Sequence, residues 1–422
     1  MPKRLAVAIV GLIIAIPLFS ACGGNQNVQN GSDGAASGQE LPAVSPQAVQ
    51  KEEEKSVSVS IACAGDVMVH EPQLVAQFDN KTKLYDFSNN FEYVKDYIAS
   101  ADLAMCNLET TLGGSPYTGY PRFSSPDSLV TALADTGFDV LFTSNNHMLD
   151  RDADGLRKTI DGVRAAGLRN VGSQYEDEKK YIVVSAGAID VGIVAYTYES
   201  PRVGNTRTLN GIRITDESLP MVNSFGYEDL EGDLDDMAAD VLSARKDGAD
   251  VVICYFHWGN EYQRAYDDTQ RYIAGRAITA GADLIFASHP HVLQTMEIIE
   301  AENGRRIPLF YSMGNFISNQ RTETTGSMYT EQGLIAMVEL EVLPDSGKIV
   351  SVEAKALPTW LDKYYSGGKQ TYTIVPLDAG YEGNPAILES GHLGRAAEAL
   401  KYCGTLFRPE DLYKGNGDGA AQ

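Results

Sequence analysis

Ile285-Phe286-Ala287-Ser288-His289-Pro290-His291 is an apolar run that ends abruptly in two histidines two residues apart. A buried strand needs only the apolar part. Two imidazoles at its C-terminal mouth, with Pro290 fixing φ between them and removing one backbone donor, present a pair of neutral nitrogen ligands from one turn. A His-x-His pair also arises by accident in polar loops, so the other histidines decide the reading. The chain has six, and His70, His147 and His257 also follow apolar runs, 61–69, 139–146 and 251–256. Only His392 stands apart.

Working outward, Val57, Val59, Ile61 and Cys63 alternate before Gly65-Asp66, the pattern of a strand and its mouth. Residues 101–109 form a second short apolar strand running into Glu109. Helical periodicity over 126–136, a strand at 138–142, a helix over 154–166 and a strand at 168–171 give the alternation of an α/β domain. Helices at 230–246 and 269–280 precede the strands at 250–256 and at the opening motif. In open α/β sheets, polar residues beyond the carboxyl ends of strands are where sites form. Asp66, Glu109, Asn146, His257, His289 and His291 all fall there.

Two strands joined by a turn over 181–198 predict a mixed rather than purely parallel sheet. Residues 205–227 read as irregular, 308–312 as a strand, and 333–343 and 348–356 as closing antiparallel strands. The loop 111–123 has too few aliphatic residues for core, and its Tyr and Arg side chains could face a ligand. Arg122 is its candidate substrate-binding residue. Arg151 is a second candidate clamp. Asp150 could orient the His147 ring or cap the helix that follows.

An apolar fraction of 43% supports a sizeable core. The formal charge of −23 argues against nucleic acid as a partner, because phosphate backbones are held by basic patches. A polyanionic polymer would likewise need a local cationic site, and bound metal ions are one way to make it. At the start, Lys3 and Arg4 precede an apolar stretch and small residues before Cys22, a secretory pattern. Leu18-Phe19-Ser20-Ala21-Cys22 resembles a bacterial lipobox, with Phe19 where an aliphatic residue is usual. It implies lipidation at Cys22; the alternative is an uncleaved N-terminal anchor, and both place the rest of the chain outside the cytoplasm on a membrane surface. Residues 23–55 have the composition of a flexible tether. Cys63, Cys106, Cys254 and Cys403 lack zinc-like spacing and read as free thiols.

The ordered series GDVMVH (65–70), NLE (107–109), SNNHMLD (144–150), FHWGNEY (256–262), SHPHVLQ (288–294) and YSMGNF (311–316) resembles the bacterial capsule-synthesis family CapA, called PgsA in poly-γ-glutamate systems, of the calcineurin-like metallophosphoesterase superfamily. The resemblance covers residues 57–316 and extends to about 357. It implies a four-layer α/β/β/α sandwich with the ligands meeting at one edge of two sheets. It further implies that Asn146, His257 and His289 serve one metal and Asp66 and His291 another, with Glu109 between them. His147 then contacts a phosphoryl group or protonates a leaving oxygen. A mixed N/O ligand set suits Mn, Fe or Zn, one ion or two, better than Mg or Ca.

Two positions depart from the superfamily pattern. Met68 stands where the phosphoesterases carry a histidine ligand, and Glu109 where they carry an aspartate. His70 could replace the missing histidine only if its loop bends back. The expected organisation is a signal peptide at 1–22, a linker at 23–55, the metallophosphoesterase-like domain at 56–357 and a C-terminal extension at 358–422. Two function classes stay open: a metal-dependent hydrolase or transferase outside the cell, and a membrane-anchored, non-catalytic component of poly-γ-glutamate capsule synthesis and export working with other capsule proteins.

Overall fold

The computed structural model of the protein describes residues 55–344 and 346–415, all within one compact unit, Glu53–Gln422. The signal segment, Cys22 and all but the last residue of the linker lie outside the described residues. In chain order the strands are β1 (Val57–Val67), β2 (Leu103–Leu108), β3 (Val140–Phe142), β4 (Arg169–Val171), β5 (Tyr181–Ala186), β6 (Ile189–Tyr198), β7 (Ser200–Val203), β8 (Thr206–Leu209), β9 (Ile212–Arg213), β10 (Ser224–Phe225), β11 (Val251–His257), β12 (Leu284–Ser288), β13 (Met296–Glu300), β14 (Arg306–Phe310), β15 (Asn315–Ile317), β16 (Gln332–Leu343), β17 (Lys348–Ser366) and β18 (Lys369–Pro376). The helices are α1 (Glu71–Gln77), α2 (Lys95–Ala99), α3 (Ser128–Thr136), α4 (Asp152–Ala165), α5 (Leu230–Lys246), α6 (Asp268–Ala280), α7 (Thr322–Thr325), α8 (Pro385–Ser390) and α9 (Leu393–Cys403).

One sheet runs β18-β17-β16-β1-β2-β3-β4, with β15 also on β1, a second runs β10-β6-β11-β12-β14-β13, with β5 on β6, and β7-β8-β9 form a small third. The pairs β1·β2, β2·β3 and β3·β4 are parallel, as are β6·β11, β11·β12 and β12·β14, while β16, β17 and β18 pair antiparallel. The sheets are therefore mixed, as the hairpin at 181–198 predicted.

Alternation along the strands makes the layers. Val59, Ile61 and Cys63 of β1 pack with Val251, Ile253 and Tyr255 of β11 in the core between the sheets. The intervening Ala62 and Ala64 face outward, against α2 and α3 through Ile98, Leu129 and Leu133. Val252, Cys254 and Phe256 face α5 and α6 through Leu234, Met237, Ile273 and Ala277. Both faces of each central strand are covered, which is why β11 is buried at all seven positions and reads as an unbroken apolar run. The result is the expected four-layer α/β/β/α sandwich. At the end of the central core the Phe142 and Tyr255 rings stack at 4.0 Å, joining the two sheets directly beneath the strand mouths.

Gly65 at the mouth of β1 has no room for a side chain: a Cβ there would lie 2.0 Å from the Gly314 carbonyl oxygen. That close approach carries the Asp66 N–H to Gly314 O bond, 2.9 Å, and fixes where the aspartate points.

The expected closing strands prove longer and more numerous. β17 runs through residue 357, where a boundary was expected, and β18 continues the same sheet. The hairpin β13·β14 occupies 296–310, and the stretch 205–227 contains the short strands β8, β9 and β10. No described helix is long and apolar enough to cross a membrane.

Candidate metal centre

Three parallel strands of the first sheet and two of the second end at the same edge and deliver six side chains into one buried cluster. Asp66 comes from β1, Glu109 from just after β2, Asn146 from after β3, His257 from the end of β11, and His289 and His291 from the turn after β12. Each is no more than 2% exposed. His289 and His291 hold φ at 101° and 56°, a left-handed region that β-carbon sterics disfavour. The turn directs both rings inward, their centroids 5.9 Å apart and His289 4.8 Å from His257.

Asp66 Oδ1 accepts from Asn107 Nδ2 at 2.7 Å. Its Oδ2 is 3.3 Å from His291 Nδ1 but has no donor aligned on it. Glu109 Oε1 is 3.5 Å from His257 Nε2 and 3.8 Å from His291 Nε2, also without a hydrogen bond. His257 Nε2 is 3.0 Å from Asn146 Oδ1, and His291 Nδ1 is 3.1 Å from Asn315 Oδ1. His289 Nδ1 has no partner. Ligand atoms of Glu109, His289 and His291, and of Asp66, Glu109 and His257, each lie within 4.8 Å of one another.

Burial disfavours charge on the rings, holding His257 neutral down to about 3 and His289 well below the ordinary histidine value. Burial and then the Asp66 carboxylate push Glu109 well above the carboxylate range. Against the same burial, His291, His257 and the Asn107 amide draw Asp66 down. Neutral imidazoles, clustered carboxylates and three buried polar atoms lacking partners are what a divalent cation would satisfy. The donor set fits one. Glu109 belongs to both of these triads.

The remaining predicted residues sit around this cluster. His147 is buried beside it, with Nδ1 2.8 Å from Asp150 Oδ2 and its ring edge-on to Phe123 at 4.7 Å. Asp150 therefore orients the ring; it does not cap α4, whose N-cap is Arg151, and its Oδ2 also accepts from the Phe123 N–H. Arg122 pairs with Asp152 at 3.4 Å on the surface rather than with a candidate ligand. His70 Nδ1 accepts from the Asn319 N–H at 3.2 Å, and its ring stands edge-on to Phe123 at 5.1 Å. Met68 is buried and brings only a thioether to its position. His392, at the far end of the chain, pairs with the buried Asp362 at 2.7 Å. The four described cysteines are free and buried, as read.

A supporting shell escaped the sequence reading. Asn107 holds Asp66, Asn145 donates to Asn107 Oδ1 and the Leu108 carbonyl and accepts from the His147 N–H, and Asn315 bonds His291. Tyr198 packs its ring 4.6 Å from His289. The three asparagines were visible as neighbours of the ligands in NLE, SNNHMLD and YSMGNF, but nothing in a strand-end pattern separates a ligand from the residue that holds it.

The chain is 26% identical over 300 residues to a capsule biosynthesis protein CapA of Bacillus anthracis, covering 67% of this chain and 64% of that one. It is 28% identical over 279 residues to a PGA biosynthesis protein CapA of Bacillus subtilis, 62% and 64% of the two chains. A probable polyglutamine synthesis accessory protein of Mycobacterium tuberculosis is 26% identical over 269 residues, 60% of this chain and 65% of that one. The matches thus span just under two thirds of these relatives' own length. A solved structure of a phosphatase from Mycoplasma pneumoniae is similar with a TM-score of 0.40 and 15% identity, covering 72% of this chain and 94% of that one. The profile of the bacterial capsule synthesis protein PGA_cap matches residues 60–320, a span holding every candidate ligand, and the chain belongs to that family.

Proposed function

We propose that the protein is an accessory factor of capsular poly-γ-glutamate synthesis or export, carried at the outer face of the cell membrane by a lipid on Cys22 and built around a centre for Mn, Fe or Zn. The observation that carries this reading is the buried Asp66–Glu109–His257–His289–His291 cluster, with its partnerless oxygens and ring nitrogen, inside the region matched by the capsule family. The capsule roles of the similar Bacillus proteins support the capsule process, and the lipobox pattern supports the anchor.

Asp66, Glu109, Asn146, His257, His289 and His291 would hold the metal. A bound divalent cation would supply Lewis acidity and an activated water at neutral pH. The chain's own contribution is positional. Asn107 fixes the Asp66 carboxylate, Asn315 fixes His291, and Asp150 holds the His147 ring so that its other nitrogen can carry a proton to or from a group bound at the cluster. A second reading, a metal-dependent phosphoesterase unrelated to capsule, draws on the same residues; the Met68 position favours the accessory role, because it removes a ligand from one side of the cluster.

Deleting the gene in its own host tests the proposal. Cell-surface polyglutamate should fall, be restored by the natural gene, and not be restored by His257→Ala. Unchanged surface polymer after deletion would overturn the capsule role. Cys22→Ser should release the protein from the membrane fraction or leave an uncleaved precursor, and unchanged mass and fractionation would contradict the anchor.

A further inference from the structure

The hairpin β8–β9 turns at Asn210-Gly211, and its tip touches two residues of the metal centre. Leu209 pairs with Ile212 across this two-residue turn, and Thr208 with Arg213. φ is 47° at Asn210 and 75° at Gly211. A two-residue hairpin turn with both central residues left-handed is what Asn-Gly favours, so the Asn210 backbone meets a turn requirement. The Asn210 N–H donates to Ser200 Oγ of β7 at 2.6 Å, tying the tip to the rest of the small sheet. Behind the tip, Leu209 is fully buried in a cluster with Met148, Leu149, Leu156 and Ile160. Met148 and Leu149 directly follow Asn146 and His147 in the chain. The hairpin is thus packed on the segment that carries both of those site residues.

Asn210 is an exposed residue, yet its amide contacts buried ones. Asn146 Nδ2 donates to Asn210 Oδ1 at 3.2 Å, and Asn210 Nδ2 stands 3.4 Å from both ring nitrogens of His147. Equal distances put that nitrogen on the midline of the ring rather than along either lone pair, so the 2.8 Å contact of His147 Nδ1 with Asp150 is left intact. The consequence lies at Asn146. A primary amide can meet a cation only through its oxygen, and its two ends are nearly equal in shape. A neighbour that accepts from the nitrogen end therefore chooses between the two orientations. With Asn210 Oδ1 on that end, Asn146 Oδ1 is left on the side of the cluster, 3.0 Å from His257 Nε2. Turned over, Asn146 would set its oxygen against the Asn210 oxygen and offer N–H donors to a cation.

We infer that Asn210 is a positioning residue of the metal centre: carried in by the β8–β9 hairpin, it holds the Asn146 amide with its oxygen toward the cluster, which makes the small third sheet part of the centre. The inference rests on the metal-centre reading. The full chain is tested with cobalt(II), whose absorption bands report the ligand set of a mixed N/O site, and chelator competition on the same samples gives the affinity. Asn210→Gly removes the amide from a left-handed position that glycine occupies freely. It should weaken cobalt binding by about tenfold or more and alter the spectrum of the cobalt-saturated protein. Asn210→Asp keeps an oxygen for the Asn146 N–H, and should retain the spectrum and an affinity within about threefold of the natural chain. A role confined to the turn would lower the urea midpoint of the metal-free protein and leave the spectrum at saturation as it was. An unaltered spectrum in cobalt-saturated Asn210→Gly, or equal losses in the two variants, would therefore overturn the inference. Natural protein that takes up no cobalt contradicts the metal centre itself, whereas natural protein that binds cobalt just as Asn210→Gly does contradicts only the role of Asn210.

Discussion

Met68 and Asn107 set the chemistry of the centre from opposite sides. Met68 stands two residues beyond Asp66 where an imidazole would complete a second metal shell, and a thioether is a poor ligand for a hard or borderline divalent ion. Met68→His should therefore raise metal content per chain, read by mass spectrometry of the purified variant; unchanged content would show that the position does not face the site. Asn107 ties Asp66 Oδ1 in place, and Asn107→Leu should weaken metal affinity by about 10- to 100-fold, as loss of a supporting partner does elsewhere. Competition with a chelator measures it, and unaltered affinity would demote Asn107 to packing. His70 offers a pH test. Burial lowers its folded pKa from 6.5 to about 4, so the unfolded chain binds more protons between those values. Its contribution to stability is complete above 6.5 and is lost as pH falls toward 4. In metal-free protein the urea midpoint should drop across that window, less steeply in His70→Gln; equal slopes would contradict the assignment. Every candidate ligand was legible at this scale because each ends an apolar run. His70 ends one too, and its hydrogen bond from the Asn319 N–H is a tertiary contact that no sequence pattern shows.

Among the elements, the C-terminal strands and helices are where the sequence was least readable. Pro358 interrupts the alternation that ends near 356 and reads as a stop. In the fold it falls just beyond the last β17·β18 pair, Thr359 with Pro376, so the strand continues past it. The pattern that follows is masked by polar core residues. Glu331 is 2% exposed, yet it receives Arg321 Nη2 at 3.0 Å, Trp360 Nε1 at 3.2 Å, the Thr322 N–H and hydroxyl at 3.0 Å each, and Arg395 Nη2 of α9 at 2.6 Å on both oxygens. This carboxylate pins α9 and α7 to the start of β16. Glu331→Ala would leave the buried Arg321 with only the more distant and exposed Glu323 carboxylate, at 3.7 Å, and we expect a loss of about 3–5 kcal/mol in urea unfolding. Arg395→Ala, removing the more exposed partner, should lose about 1 kcal/mol or less. Equal losses would mean that the contact with α9, not the buried charge, dominates. By contrast β11 and β12 were plain in the sequence, because strands covered on both faces leave no polar position to obscure them, and β1 was plain through its alternation.

For the whole molecule, one sandwich of two sheets brings distant segments, residues 66 through 291, to a single edge, and the order of apolar runs ending in Asp, Glu, Asn and His foretold that edge. What it could not foretell is the distances among the candidate ligands, since strand-end placement carries no distance information between sheets. The formal charge of −23 adds a constraint at this scale: under the proposed capsule role, an acidic protein would need a concentrated local positive charge to hold an anionic polymer, and the buried cluster is where the fold can hold one. Metal content of the purified protein, determined by inductively coupled plasma mass spectrometry after Mn, Fe or Zn reconstitution and dialysis, tests that directly. We predict one tightly held divalent ion per chain, with a second weak or absent, and its loss in both His257→Ala and His289→Ala while His392→Ala retains it. Protein that holds no metal after reconstitution, or holds it undiminished in both histidine variants, would contradict the account.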